Sequence, residues 1–521
     1  MSECRSDEIQ LDCLSSKGLS GLLEFIYTAT IQLDVDNLED VLMTANYLQM
    51  IPLLKICIKF AIEKISKTTC FFLYDLGIKL QVEELKVAAE KYILNNFLSI
   101  PESVICRIGP QKLARFLVSD KLQVSSEKYL IDRIVFWVDF NPISRMKYIT
   151  RLLQYVRFCL LTVSELSSAL ACHAILRTNE ECKEMIQSAF KYHSNPQLQP
   201  SLQSQITKLR STRRVIAALV RMSNPSSPDK LIFLENEHWH LLSEVPFRFK
   251  FIGDNHIETA EQFVYLISHS ILFRFDARFD TWLELPQLPR KRHDFATALY
   301  NNHIYLIGGR NESGTLLSGI DAFDLLTCEW HTDVYELESP VASPGCCLHE
   351  NCLIVAGGHN DCAIVDEIFV LEFANAKWKQ YGKLVNQRAS PALQSISKDS
   401  VAVIGGGDED FIEILNMMSL ECSVVRLQRM SYISMNEPCA IATENGDILI
   451  MGGYDSHSNR YNQHSYIFKS ETAELAETRI ENQAMKSRIL GLTAVVIKGD
   501  AEYTKWIKAL NKNATMHLPD S

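Results

Sequence analysis

The chain has 521 residues, 47% hydrophobic and 22% charged, with a formal net charge of -11. That balance describes a globular protein with ample core-forming material and argues against a nucleic-acid binder held by phosphate contacts. No apolar run approaches the roughly 18 residues of a membrane span, no N-terminal signal pattern is present, and fifteen cysteines without C-x-x-C spacing fit reduced thiols in the cytoplasm or nucleus.

Residues 1 to 65 read as part of a domain. Glu8–Cys13 alternates as a short strand, Leu19–Tyr27 is apolar at helical spacing, and Asn37 is placed to cap a helix carrying Leu38, Val41, Leu42, Ala45 and Leu48 on one face. Pro52 opens another helix, with Leu53, Leu54, Cys57, Phe60 and Ala61 inward. A stretch this short buries too little surface to stand alone, so a partner surface is expected. From 66 to 195 nearly everything reads as amphipathic helix: Glu83–Phe97, Ile108–Leu117, Ser126–Val138, Ser144–Tyr155 and Val163–Cys172. The short connections favour antiparallel helical neighbours. Polar Asn195–Ser204, with two prolines, is the expected linker.

From about 210 the hydrophobic period changes from helical to alternating. Glycine pairs follow apolar strands at Gly308, Gly357, Gly405 and Gly452, in steps of 49, 48 and 47 residues. Weaker copies stand at Ser268–His269 and after Val215–Val220. A repeat near this length marks the blades of a β-propeller, here six. A large apolar residue precedes a Trp by seven positions in four copies: Ile232–Trp239, Phe275–Trp282, Phe323–Trp330 and Leu371–Trp378. The glycines are expected to turn the chain where a side chain would crowd its neighbours, and the Trp pairs to bury area between blades. The first and second copies lack the glycine pair, and the fifth and sixth lack the Trp. Val215 begins directly with the strand that normally comes second. Ser487–Lys498 is a spare strand, predicted to pair with the first blade and close the ring.

These pieces resemble one family. Leu22–Leu33 and Val41–Cys57 are similar to the second half of a BTB domain, and Leu117–Val138 with Val156–Leu161 resembles a BACK domain, with Leu122, Val124, Glu127 and Trp137 on its pattern. The repeats resemble kelch blades, so the chain looks like a BTB–BACK–kelch protein. The resemblance implies a multidomain chain: a partial α/β BTB segment (1–65), an all-α BACK helical domain (66–195), a linker (196–209), an all-β six-bladed kelch propeller closed by its C-terminal strand (210–500), and a tail (501–521). It implies a substrate-recognition adaptor of a cullin-3 ubiquitin ligase, with the target protein on the propeller and the cullin on the BTB and BACK parts. The alternative is a non-catalytic interaction scaffold, or a shortened isoform that cannot recruit the ligase, because the first half of a BTB domain is missing. The same gap implies a monomer here and a dimer for a longer form. Met1 and Glu3 resemble the element such adaptors set against the cullin.

The resemblance further places a substrate site at one mouth of the ring. It is carried by Arg221, Arg310, His359 and Tyr454 after the second strands, and by Arg292 and Arg388 before inner strands. Converging arginines would favour an acidic peptide, which the acidic loop Asp408–Asp410 would restrict towards mixed charge. The competing reading is loop charges spread over a solvated rim. Cys346 and Cys347, with Cys352 nearby, are expected to be buried structural thiols rather than a redox sensor. No catalytic constellation is present, so neither an enzyme nor a cofactor or metal is expected.

Overall fold

The computed structural model describes residues 14–222, 227–246, 255–407, 411–419, 421–426, 436–443, 445–455, 460–462, 464–472, 474–478, 480 and 488–498. Met1, Glu3, the strand expected over Glu8–Cys13 and the loop Asp408–Asp410 lie outside the described residues. The chain forms two compact units, 1–188 and 189–521.

In the first unit, helices Ser16–Thr28, Leu38–Tyr47, Ile51–Glu63, Cys70–Lys79 and Glu83–Asn96 follow one another. Leu22, Leu38, Val41, Leu42, Leu53 and Cys57 share a single core with Leu73, Leu76 and Leu85. The apolar stripes of 16–63 are therefore covered by the two helices that follow. The first two helices cross closely at Gly18, where a Cβ would lie 2.4 Å from the Asp40 carbonyl oxygen. Asn37 does stand at the N-cap, but its side chain makes no cap bond; it exchanges hydrogen bonds with Asp34 instead.

Further on, Pro110–Val118, Lys128–Asp139 and Val163–Cys172 form as expected, the last held by a Thr162–Glu165 capping box. Ser126 accepts from the Lys128 amide at 3.2 Å and donates to Glu165 at 2.7 Å, tying two helices together. The helix expected over Ser144–Tyr155 is broken into Pro142–Arg145, a 3₁₀ turn Met146–Tyr148 and Ile149–Leu153. Arg145 stands at the break. Its guanidinium lies 4.2 Å from the Trp137 ring and donates to the carbonyls of Trp137 (2.8 Å) and Cys106 (2.6 Å). Buried Trp137 itself donates to the Ile108 carbonyl at 3.0 Å.

The second unit carries the propeller, six antiparallel blades, five of four strands and the sixth with the short strand Arg460–Tyr461 added. The innermost strands, from blade two to blade six, are Asn255–Ala260, Ala296–Tyr300, Gly345–His349, Ala392–Ser397 and Asn436–Ala442. Blade one takes its innermost strand from the far end of the chain. Arg488–Lys498 pairs with Thr212–Arg221, with Val215 opposite Val495, and touches the inner strands of blades two and six. The ring is closed as expected.

Six hydrophobic seams, one between each pair of neighbouring blades, form its core. Phe275, Phe323 and Leu371 lie directly across the hairpin from Trp282, Trp330 and Trp378, and these pairs reach the seams. Blade one departs from the expectation: Trp239 faces Leu234, and Ile232 faces Leu241, because the hairpin turns on two residues, Asn236 and Glu237 (φ 49 and 66), where blade two uses four. The glycine pairs are structural. Gly308 has φ +66 and Gly357 φ +65, and a Cβ at either would stand within 2.3 and 2.5 Å of a carbonyl oxygen of the neighbouring segment.

The polar stretch expected to be a linker is packed. Pro196–Leu202 is a 3₁₀ turn, and Gln199 and Thr207 are buried. Two buried arginines of blade two explain this. Arg274 donates to the Pro196 and Gln197 carbonyls, and Arg278 to the Thr207 carbonyl at 2.8 Å. Gln262, in the turn after the inner strand of blade two, bonds Gln203 at 2.5 Å, so the segment packs on the face where inner strands end. Among the described residues no such segment packs on the opposite face, where they begin.

Candidate functional site: the open mouth of the propeller

Inner strands begin, and second strands end, at this mouth. Each of four blades places a non-glycine residue in the left-handed region there: Asp294 (φ 56), Ser343 (φ 49), Ser390 (φ 55) and Glu437 (φ 54). Backbone bonds join these positions across blades. The Ser343 amide donates to the Asp294 carbonyl at 2.6 Å, and the Ser390 amide to the Ser343 carbonyl at 2.8 Å. Glycine amides add to the lacing, Gly309 to the Val341 carbonyl at 2.8 Å and Gly358 to the Arg388 carbonyl at 2.7 Å. Blades three, four and five are thus laced together at the mouth. The side chains of Asp294, Ser343, Ser390, Glu437, Arg488 and His256 line a cavity of about 270 Å³.

Two of the arginines expected at the mouth are walls instead. Arg292 and Arg388 are both 0% exposed. Arg292 pairs with Asp321 and donates to the Gly308 carbonyl at 3.2 Å. Arg388 pairs with Glu413 at 2.7 Å and donates to the Gly405 carbonyl at 2.6 Å. In both blades the arginine turns into its own sheet to meet a carboxylate on the third strand, where an unpaired charge would be costly. Neither is available to a ligand.

The remaining positions lie at the mouth. Arg310 is half-buried and reaches across a blade boundary to Asp361 at 3.0 Å, while also bonding the Gly314 carbonyl. Arg221 stands 3.4 Å from the fully buried Asp229. His359 is tied to Ala342 by reciprocal backbone bonds of 2.8 and 2.9 Å. Tyr454 lies edge-on to Tyr461, ring centroids 5.3 Å apart. Sequence reasoning missed Arg488. It covers the Tyr461 ring at 4.7 Å and bonds Glu437 at 2.7 Å, joining blade one to blade six. Its signal was present, because the closing strand opens on an arginine as the segment from Arg292 does. Arg221, Arg310 and Arg488 each already face a carboxylate of this chain, so the mouth carries mixed charge rather than a bare cationic ring.

Deeper in, Cys346 donates to the Thr297 carbonyl at 3.1 Å. Burial pushes the Cys347 thiol up to about 12 and Cys346 well above its ordinary value; Cys352 is raised as well. These are protonated thiols without the thiolate character of a redox sensor.

A closed ring of six such blades defines a protein of the β-propeller class. Residues 1–65 match the family model of the BTB/POZ domain, 70–171 that of BACK (BTB And C-terminal Kelch), and 291–332 that of the Kelch motif. Kelch-like protein 26 of Danio rerio is 24% identical over 502 residues, covering 91% of this chain and 81% of that protein. Kelch-like protein 36 of Rattus norvegicus is 23% identical over 501 residues, covering 90% and 80%. Kelch-like protein 31 of Homo sapiens is 26% identical over 328 residues, 60% of this chain and 51% of that protein. The chain belongs to the BTB–BACK–kelch family.

Proposed function

We propose that this chain is the substrate-recognition adaptor of a cullin-3 RING ubiquitin ligase. The propeller mouth takes the target protein, and the BTB and BACK parts dock the cullin. What supports the reading is the order of the three segments together with a propeller mouth laced by backbone bonds across blades three to five. Adaptors of this family are generally not enzymes; the contribution would be proximity, which raises the effective concentration of a substrate lysine beside a charged ligase. Arg310, Arg221, His359 and Tyr454 stay as mouth contacts in this reading, joined by Arg488, Glu437 and Asp361. The cullin contact assigned to Met1 and Glu3 is part of the same proposal, as is a monomeric state, which light scattering would check.

The test is a pull-down of purified cullin-3 by this chain, with propeller folding verified by melting on the same sample. Saturable capture supports the adaptor. Absence of capture by a folded chain removes it and leaves the scaffold that holds targets without a ligase.

A further inference from the structure

Below the mouth, the innermost strands enclose a channel section of about 750 Å³ whose lining holds two charged side chains, Glu258 and Arg214. They are not partners. Thr259 touches Thr493, and Arg214 sits opposite Val496, three residues or roughly 10 Å nearer the face where inner strands end. Among the described residues no Lys, Arg or His nitrogen forms an ion pair with Glu258. Its one hydrogen bond is accepted from the Thr297 hydroxyl at 2.8 Å, and the Cys346 thiol lies close by. A carboxylate offers about four acceptor positions, so one hydroxyl leaves most of them open to the channel, which Glu258 lines as a partly exposed side chain.

A histidine lies above it. His256 shares the strand face of Glu258 two residues nearer the mouth, and its ring lies 4.6 Å from that of Phe295. It bonds the Phe295 backbone, and burial holds the imidazole down at about 4, so it is neutral and does not compensate Glu258. Its Nε2 is buried and closed to the channel. Glu258 is therefore the acceptor offered to a channel whose other walls include Ile257, Ala298, Leu393 and Ala440. The group that completes it carries several N–H donors and a positive charge on a slender apolar stem. A lysine side chain has that form, since its methylenes pack on apolar walls while its tip stays polar.

We infer that the propeller channel is a receptor for one lysine side chain inserted from the mouth, with Glu258 as counter-ion to its ammonium. The depth suits it. Glu258 lies three strand residues below the level of Asp294, roughly 10 Å, within reach of a lysine whose backbone sits in the mouth cavity. Asp294 at the rim adds attraction of the same sign. The inference rests on the adaptor reading only in taking the amine from a bound protein.

Saturation-transfer NMR of the ligand gives a readout that needs no partner protein, with millimolar N-acetyl-lysine methylamide or its norleucine counterpart present at pH 8.5. The lysine amide is expected to bind and the norleucine amide not. In Glu258→Gln, which keeps the side-chain volume, the dissociation constant should rise at least about tenfold, the scale of a lost hydrogen bond to a charge. Glu258→Leu is the second variant. Equal binding of both amides, or binding unchanged in the variants, would overturn the site. The comparison of the two amides on the unaltered chain decides the matter even if neither variant folds. Cullin capture is read separately, so loss of one result leaves the other standing.

Discussion

Replacing Arg388 with methionine separates a wall residue from a ligand contact. Methionine keeps much of the length and removes the guanidinium, leaving Glu413 fully buried with the backbone amides of Val385 (2.7 Å) and Asn386 (3.4 Å) as donors. The Gly405 carbonyl loses its 2.6 Å donor as well. Breaking a buried pair from one side costs about 3–5 kcal/mol, a large part of the roughly 5–15 kcal/mol that holds a domain together. With unfolding entropy near 2.1 cal/mol/K per residue over the propeller, that lowers Tm by about 5–8 °C. The assay is thermal unfolding of Arg388→Met, Glu413→Met and the double variant. The double variant should lose less than the sum of the singles, since it leaves no orphaned charge. If Arg388→Met melted with the parent chain and instead lost a bound target, Arg388 would be a recognition residue and the wall assignment would be wrong.

A chain ending at Lys486 lacks the closing strand, including buried Ile489, Val495 and Ile497. At about 1.5–3 kcal/mol for each side chain, the loss rivals the stability of the domain, so calorimetry should show no cooperative propeller transition, whereas a chain ending at Lys498 should melt normally. Burial raises the Glu258 carboxyl from its ordinary 4.5 to about 7, and the Thr297 hydroxyl offsets this only in part. The folded state then binds the proton more tightly than the unfolded one, so stability falls as pH rises from about 4.5 through 7, by up to about 3 kcal/mol. The groups around it are Thr297, Cys346 and His256, with Arg214 further down the channel. Urea unfolding at pH 5 and pH 8 should show this slope in the parent chain and a smaller one in Glu258→Gln; equal slopes would refute the assignment.

The blade count and the ring closure could be read in advance because they rest on local necessities. Glycine is demanded at positions such as Gly308 and Gly357, where a Cβ would stand within about 2.5 Å of a carbonyl of the next segment, and a strand with no partner demands one. The arginines could not be sorted in the same way. Arg292 and Arg388 look like rim charges until Asp321 and Glu413 arrive 29 and 25 residues later on a third strand. Those two acids were a usable signal, since each interrupts an otherwise apolar buried strand. The packed turn after Asn195 was hidden for a related reason. Its polar composition reads as solvated, and only the burial of Arg274 and Arg278 shows what its carbonyls are for. Glu258 stood unremarked in an alternating strand because nothing in the sequence shows that its outward face is the inside of a ring.

The strand that completes blade one is the last part of the propeller to be synthesised. Thr212 meets Lys498 only after the whole ring between them has been made, a wait of about 15–60 s at typical elongation rates. Through that interval the second strand of blade one, with Ile216, Ala217 and Leu219, presents a bare apolar edge, the kind that pairs with strangers. Contacts spanning so much sequence also fold slowly. The same stitch that leaves the finished propeller without an open edge makes its nascent chain a client for chaperones, and any stop codon between blade six and Arg488 would release a nearly complete protein with its first blade unfinished.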